Sequence, residues 1–293
     1  MLLTLVLAGT MAAGGGGGDR ADEVVARMRE ALRAGGGGEA VRSLGLEADV
    51  RRLMPVEGAE PRDMSGELTV DVLLPDRYLK VETLSAFPGA PAVSIGTGFD
   101  GQEAWRAPVG VPPGHGMVIR VQTPDEPGAA TSLRRRTRAE LTRLALLSLG
   151  VPPAGAGLSF RYVGEAEAPE GRAHVLDVSG AEGFAAQLFV DVKTHLPLML
   201  TFKGQVPVMR TVRAKGPAEM ERARAEAERT ARAAAEAPET EVRLFVSDYR
   251  EVGGLRLPHR FLQEMDAGAR EEWTVKKWKV NPALQASAFR KQG

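Results

Sequence analysis

Alternating strands dominate this chain. They predict a mainly β protein with helices (α+β), built as a strongly curved antiparallel sheet or half-barrel with helices on its concave face. Three observations carry that expectation. Strict apolar–polar alternation recurs in both halves of the chain, as in Leu68, Val70 and Val72 against Glu67, Thr69 and Asp71. Hairpin-type turn residues separate successive stretches, so neighbours in sequence are neighbours in the sheet. The strands number roughly ten, above the ~4–6 of an ordinary sheet, and so many hairpins in series favour curvature.

Taken in order, the chain opens on an apolar run, Leu2 to Ala8, followed by the small residues Ala12, Ala13 and Gly14. The run falls short of the ~20 residues that span a bilayer, and residues 1–18 are expected to be a signal peptide and a Gly-rich linker. No Lys or Arg precedes the run, as would be the case if the true start lay upstream. Residues 19–293 are expected to form one domain. Asp22 to Arg33 reads as a helix capped by Asp22, with Val24, Val25, Met28, Ala31 and Leu32 on one stripe and Gly35 ending it. A short helical turn is expected at Glu39 to Ser43.

Period-two patterning then runs from Leu44 to Thr83. Leu79 and Val81 continue the apolar set, with Tyr78, Lys80 and Glu82 expected on the wet face and Pro75-Asp76 marking the turn. Phe99-Asp100-Gly101 signals a hairpin into a strand that carries Trp105, because Asp-Gly tolerates positive φ. Residues 107–128 are rich in Pro and Gly and read as a long loop with one short strand, Met117 to Val121. Ser132 to Leu149 is the clearest helix. Ser132 is expected to cap it, Gly150 and Pro152 to stop it, and Leu141, Leu144, Ala145 and Leu147 make its second half apolar.

Strands resume at Phe160–Glu167, His174–Ser179, Phe184–Val190, Leu198–Phe202, Val242–Tyr249, Leu255–Met265 and Glu271–Val280. A helical insert at about 216–238 interrupts them. It is nearly all Ala, Glu and Arg, carries charge pairs four apart such as Arg222/Glu226 and Glu228/Arg232, and lies between Pro217 and Pro238.

Composition narrows the function. Lys plus Arg and Asp plus Glu both total 38, so the formal charge is zero, which does not favour a nucleic-acid partner. Cys is absent, which removes disulfides, thiolate metal sites, Cys nucleophiles and an N-terminal lipid-modified Cys. Neither Gly run is followed by Gly-Lys-Ser/Thr, so neither is a phosphate loop. The four histidines, His115, His174, His195 and His259, lack metal-ligand spacing. No Gly-x-Ser-x-Gly elbow exists, and the carboxylates Asp248, Glu271 and Glu272 offer at most a weak acid–base pair. No enzyme, metal or cofactor is expected. Arg134, Arg135, Arg136 and Arg138 sit where cations oppose the helix dipole. They read either as a solvated face or as a patch for an anionic membrane surface or docking partner.

Several segments together resemble the LolA-like, outer-membrane lipoprotein-sorting family. They are the Asp22–Arg33 helix, Leu74-Pro75-Asp76-Arg77-Tyr78, Gly98-Phe99-Asp100-Gly101 with Trp105, and Phe189-Val190-Asp191 to Pro197. Ser247-Asp248-Tyr249, Gly253-Gly254-Leu255, Leu257-Pro258-His259, Trp273-Thr274-Val275, Asn281-Pro282 and Phe289 complete the set. The resemblance lies in their order and spacing and covers most of Asp22 to Phe289; the Pro217–Ala237 insert departs from it. It implies a half-barrel enclosing an apolar cavity for acyl chains. The expected protein is a periplasmic carrier of a lipid or lipidated protein, soluble after cleavage and without a transmembrane span. The cavity residues expected are Leu68, Val70, Val72, Leu79, Val81, Trp105, Leu188, Val190, Leu244, Val246 and Trp273 from the sheet, with Leu141, Leu144 and Leu147 from the lid. The same residues also describe an ordinary core. The alternatives are an envelope sensor that binds another protein, and, less favoured, a hydrolase. An envelope receptor is a further expected partner.

Overall fold

The computed structural model describes residues 17–34, 39–56, 59–85, 92–109, 128–153, 155–168, 171–205, 239–265 and 268–291. Its elements are α1 (Gly17–Leu32), β1 (Ser43–Val56), β2 (Ala59–Leu73), β3 (Arg77–Ser85), β4 (Val93–Phe99), β5 (Ala104–Pro108), α2 (Ala129–Leu149), β6 (Ser159–Ala168), β7 (Gly171–Ser179), β8 (Ala185–Asp191), β9 (Pro197–Gly204), β10 (Thr240–Val252), β11 (Leu255–Met265) and β12 (Arg270–Val280). The twelve strands form a single sheet in the order β5-β4-β3-β2-β1-β12-β11-β10-β9-β8-β7-β6. Every pair is antiparallel. The first and last strands meet at its centre, and β5 and β6 are its edges. Because α2 follows β5 and precedes β6, the chain passes from one edge to the other through this helix. The result is the open, curved sheet that the alternation predicts.

Directly opposed residues of an antiparallel pair share a face, so the register traces an apolar band across the sheet. Leu44, Leu46 and Ala48 of β1 stand opposite Val72, Val70 and Leu68 of β2. On the other side Val50 meets Trp273, Trp273 meets Phe261, and Phe261 meets Val246. Leu244, Leu200, Leu188 and Leu176 carry the band through β10, β9, β8 and β7. Onto it fold Ala21, Val24, Val25, Met28 and Leu32 of α1, whose helical spacing gives one buried stripe, and the C-terminal half of α2. A smaller cluster, centred on Phe189, Met199 and Val175 with Phe245, lies apart from this core.

Several local expectations are corrected. α1 starts at Gly17, so Asp22 lies inside it and caps nothing. Residues 39–42 are irregular and Ser43 already begins β1. α2 starts at Ala129 with Gly128 at its N-cap and no side-chain cap; the Ser132 amide instead donates to the Gly128 carbonyl at 2.9 Å. Gly128 takes φ 87°, a conformation open to a residue without Cβ, and this fixes the start three residues earlier than the Ser signal. Gly17 and Gly18 of the expected Gly-rich linker already belong to α1; residues 1–16, Gly35, the strand Met117–Val121 and the insert at 216–238 lie outside the described residues.

Candidate functional site

The helix-covered face gathers most of the predicted apolar residues. Leu68, Val70, Val72, Leu188, Val190 and Val246 are at most 3% exposed and join Leu141, Leu144 and Leu147 of α2 in one cluster. Leu244 and Trp273 pack against it half-buried.

Leu79, Val81 and Trp105 lie on the other face. The β2–β3 register sets Tyr78, Lys80 and Glu82 opposite Val72, Val70 and Leu68, while Leu79 and Val81 oppose Asp71 and Thr69. Alternation reveals two faces but not which is inside, and here the charged face is inside because its charges are paired. Trp105 stands opposite Gly98 and lays its ring over it: a Cβ at Gly98 would lie 2.3 Å from the indole. Its Nε1–H donates to the Phe289 carbonyl at 2.7 Å, and the Phe289 side chain is fully buried. Trp105 therefore anchors the C-terminal segment.

The charged cluster is the part that sequence reasoning missed. Arg52, opposite Glu271, donates to that carboxylate at 2.5 Å and to Glu82 at 2.6 Å. Lys80 meets Glu140 of α2 at 2.6 Å and Glu82 at 3.8 Å, and lies 5.8 Å from the centre of the Trp273 ring. Trp273 Nε1–H donates to Glu271 at 2.6 Å. Side-chain exposure is 19% for Arg52, 12% for Lys80, 7% for Glu82 and 15% for Glu271, so screening by water is weak. Burial alone would raise the Glu82 pKa, but Lys80 and then Arg52 hold it well below the usual carboxylate range. Burial pulls Lys80 down, yet Glu140, Glu82 and Glu271 together keep its pKa raised. Arg143 stacks 4.0 Å over Phe202, and burial lowers its pKa. Tyr78 is fully buried; burial first, then the Glu140 carboxylate, pushes its phenol far up. The Pro75-Asp76 turn held the missing signal: only Leu74, Pro75 and Asp76 separate the paired ends Leu73 and Arg77, which fixes Tyr78 opposite Val72.

The two helices are attached differently. At the end of α1, the Ala34 amide donates to the Gly254 carbonyl at 3.0 Å and Arg33 bridges Leu255; Arg29 Nε reaches Gly150 O at 2.8 Å. Among the described residues no backbone hydrogen bond joins α2 to a strand, and Gly128 and Gly150, both at positive φ, bound it. Of its arginines, Arg138 pairs with Glu182 at 2.6 Å and Arg134 with the same carboxylate at 3.5 Å. Arg136 reaches Gln205 at 3.0 Å, and Arg135 is exposed. A separate groove of about 460 Å³ beside α1 is lined by Arg27, Glu30, Arg33, His195 and Arg256. Among the described residues no cluster of three or more His, Asp or Glu side chains is placed to hold a metal, and no helix is long and apolar enough to cross a membrane.

No family model and no curated protein matches the sequence. Among solved structures, a DUF1329 family protein from Desulfovibrio piger aligns with a TM-score of 0.51 at 10% identity, over 93% of this chain and 97% of that one. A LolA superfamily protein from Nitrosomonas europaea aligns with a TM-score of 0.48 at 12% identity, over 92% and 97% of the two chains. An outer membrane lipoprotein-sorting protein domain from Vibrio parahaemolyticus gives 0.48 at 10%, over 93% and 95%. Likeness at such identities is one of fold. With one open, curved antiparallel sheet of twelve strands and two helices packed on a single face, the described residues form a half-barrel, a fold shared with the DUF1329 family protein.

Proposed function

We propose that this chain is an exported, non-catalytic periplasmic binding protein, one domain from residue 19 to residue 293, that sequesters the acyl chains of a lipid or lipidated polypeptide between α2 and the sheet. The observation that supports this reading is the attachment of α2. It lies over the apolar band between the two sheet edges and is held there by side chains, so displacing it uncovers apolar surface without breaking a ladder hydrogen bond. The energetics suit reversible exchange. Leu141, Leu144 and Leu147 are each worth about 1.5–3 kcal/mol when fully buried, and an acyl chain taking their place gains about 0.8 kcal/mol per methylene. Six to ten methylenes therefore come close to balancing the three leucines they replace.

The test is purification of the full chain under mild conditions, native mass spectrometry and solvent extraction, followed by titration with a fluorescent fatty acid. Co-purifying lipid that the probe displaces, lost in folded Leu144→Asp and Val70→Asp variants, is expected. A chain that carries no lipid and ignores the probe overturns the reading in favour of a partner-binding sensor.

A further inference from the structure

The charged cluster lies directly beside the apolar band: Lys80 stands opposite Val70 in the β2–β3 ladder, and its ammonium lies near the Trp273 ring. Its partners come from two different bodies. Glu82 and Glu271 belong to the sheet, as does Arg52, which already takes up both of them. The short contact of Lys80, at 2.6 Å, is to Glu140, which α2 brings; the sheet-borne Glu82 is 3.8 Å away. Arg106 faces the same way, opposite Thr97, which in turn stands opposite Lys80, and its charge acts on Glu82. Within this cluster the sheet therefore supplies three cations, Arg52, Lys80 and Arg106, against two carboxylates, Glu82 and Glu271. When α2 moves away, Glu140 leaves with it, and Lys80 keeps a net positive field at the end of an apolar surface. An unpaired cation in such a place costs far more than a paired one.

The geometry points to an anion-binding headgroup site at Lys80, for which the Glu140 carboxylate of α2 is the built-in occupant, and so to a ligand that is an amphiphile with a carboxylate or phosphate at one end. The inference rests on the proposed acyl-chain site and adds the identity of its polar end. A ligand of this kind replaces both things that α2 supplies: its chain takes the place of Leu141, Leu144 and Leu147, and its anion the place of Glu140. A neutral amphiphile replaces only the first and leaves Lys80 unpaired. Lys80 thus acts as the specificity-determining group, and Glu140 as a competitor for it.

The test is displacement of a fluorescent acyl probe from the full chain by ligands of one chain length: a fatty acid, the corresponding fatty alcohol, a lysophosphatidylglycerol and a lysophosphatidylcholine. The expected result is that the acid or the anionic lysolipid displaces the probe at least tenfold better than its neutral or zwitterionic counterpart. Whichever anion is stronger tells a free carboxylate from a phosphodiester. Glu140→Gln is expected to tighten the anionic ligands selectively, and Lys80→Met to erase the preference of acid over alcohol. Equal displacement by acid and alcohol in the unmodified chain overturns the headgroup site while the acyl-chain reading stands. Failure of every amphiphile to displace or bind overturns the acyl-chain reading itself. The comparison in the unmodified chain needs no variant to fold.

Discussion

Replacing Arg52 with Met removes the guanidinium that spans Glu82 and Glu271 and keeps an unbranched side chain of similar length. Both carboxylates are at least 85% buried, judged from their 7% and 15% exposures. Glu271 retains the Trp273 indole N–H, but Glu82 is left with Lys80 at 3.8 Å. Breaking a buried ion pair by removing one partner typically costs about 3–5 kcal/mol, and the surviving contacts place this variant at the lower end of that range at pH 7. The pH dependence has a definite sign. Glu82 has a folded pKa below its unfolded value, so its contribution to stability is complete above the unfolded carboxylate range and fades as pH falls through that range toward the folded value. Without Arg52 that depression shrinks. The unmodified chain therefore loses more stability between pH 6 and pH 3 than the variant, and the gap between them narrows on acidification. Urea unfolding followed by tryptophan emission at both pH values measures this directly. A gap below about 1 kcal/mol at pH 7, the size of an exposed pair, or one that does not change with pH, refutes the assignment of a buried ionic cluster.

Other consequences concern the two faces. Leu144→Asp, which puts a carboxylate at a position 7% exposed, is expected to cost about 3 kcal/mol or more in urea unfolding, whereas Leu79→Asp on the half-buried outer face should cost clearly less and spare acyl-probe binding. If the two variants prove equally damaging, the face assignment of β3 is wrong. Gly98→Ala is expected to push the Trp105 ring off its seat and destabilise by about 1–3 kcal/mol, with altered tryptophan emission; an unchanged spectrum would contradict the stacked geometry. Tyr249→Phe removes a hydroxyl that donates to the Pro197 carbonyl at 2.9 Å, and should lower stability by about 1 kcal/mol by the same assay.

What could be read from the sequence depended on how each element hides its surface. β2 was legible because Leu68, Val70 and Val72 are buried on one side while Glu67 and Thr69 on the other are exposed. β3 obeys the same period with the opposite polarity. Its inward residues are Tyr78, Lys80 and Glu82, and what makes the two charges tolerable inside are partners 30 and 60 residues distant in the chain, Arg52 for Glu82 and Glu140 for Lys80. Such long-range pairing leaves no local trace in composition. Trp105 misled for a related reason: a strand tryptophan looks like a core residue, but two glycines on the neighbouring strand and a carbonyl near the C-terminus seat it on the outer face. The start of α2 was misplaced because Ser132 has the right chemistry for a cap, while Gly128 supplies the backbone conformation that begins the helix. The overall half-barrel survived these errors, since topology depends on the succession of hairpins and not on which face of one strand turns inward.

The central claim, that acyl chains enter between α2 and the sheet, is tested most directly by brominated fatty acid and single-tryptophan chains. Trp273 packs beside Phe261 on the helix-covered face, with ring centres 5.6 Å apart, whereas Trp105 sits on the outer face under the C-terminal segment. A chain retaining only Trp273 is predicted to be quenched by saturating brominated fatty acid, and one retaining only Trp105 to be left bright. Quenching of Trp105 with Trp273 unaffected would contradict the account.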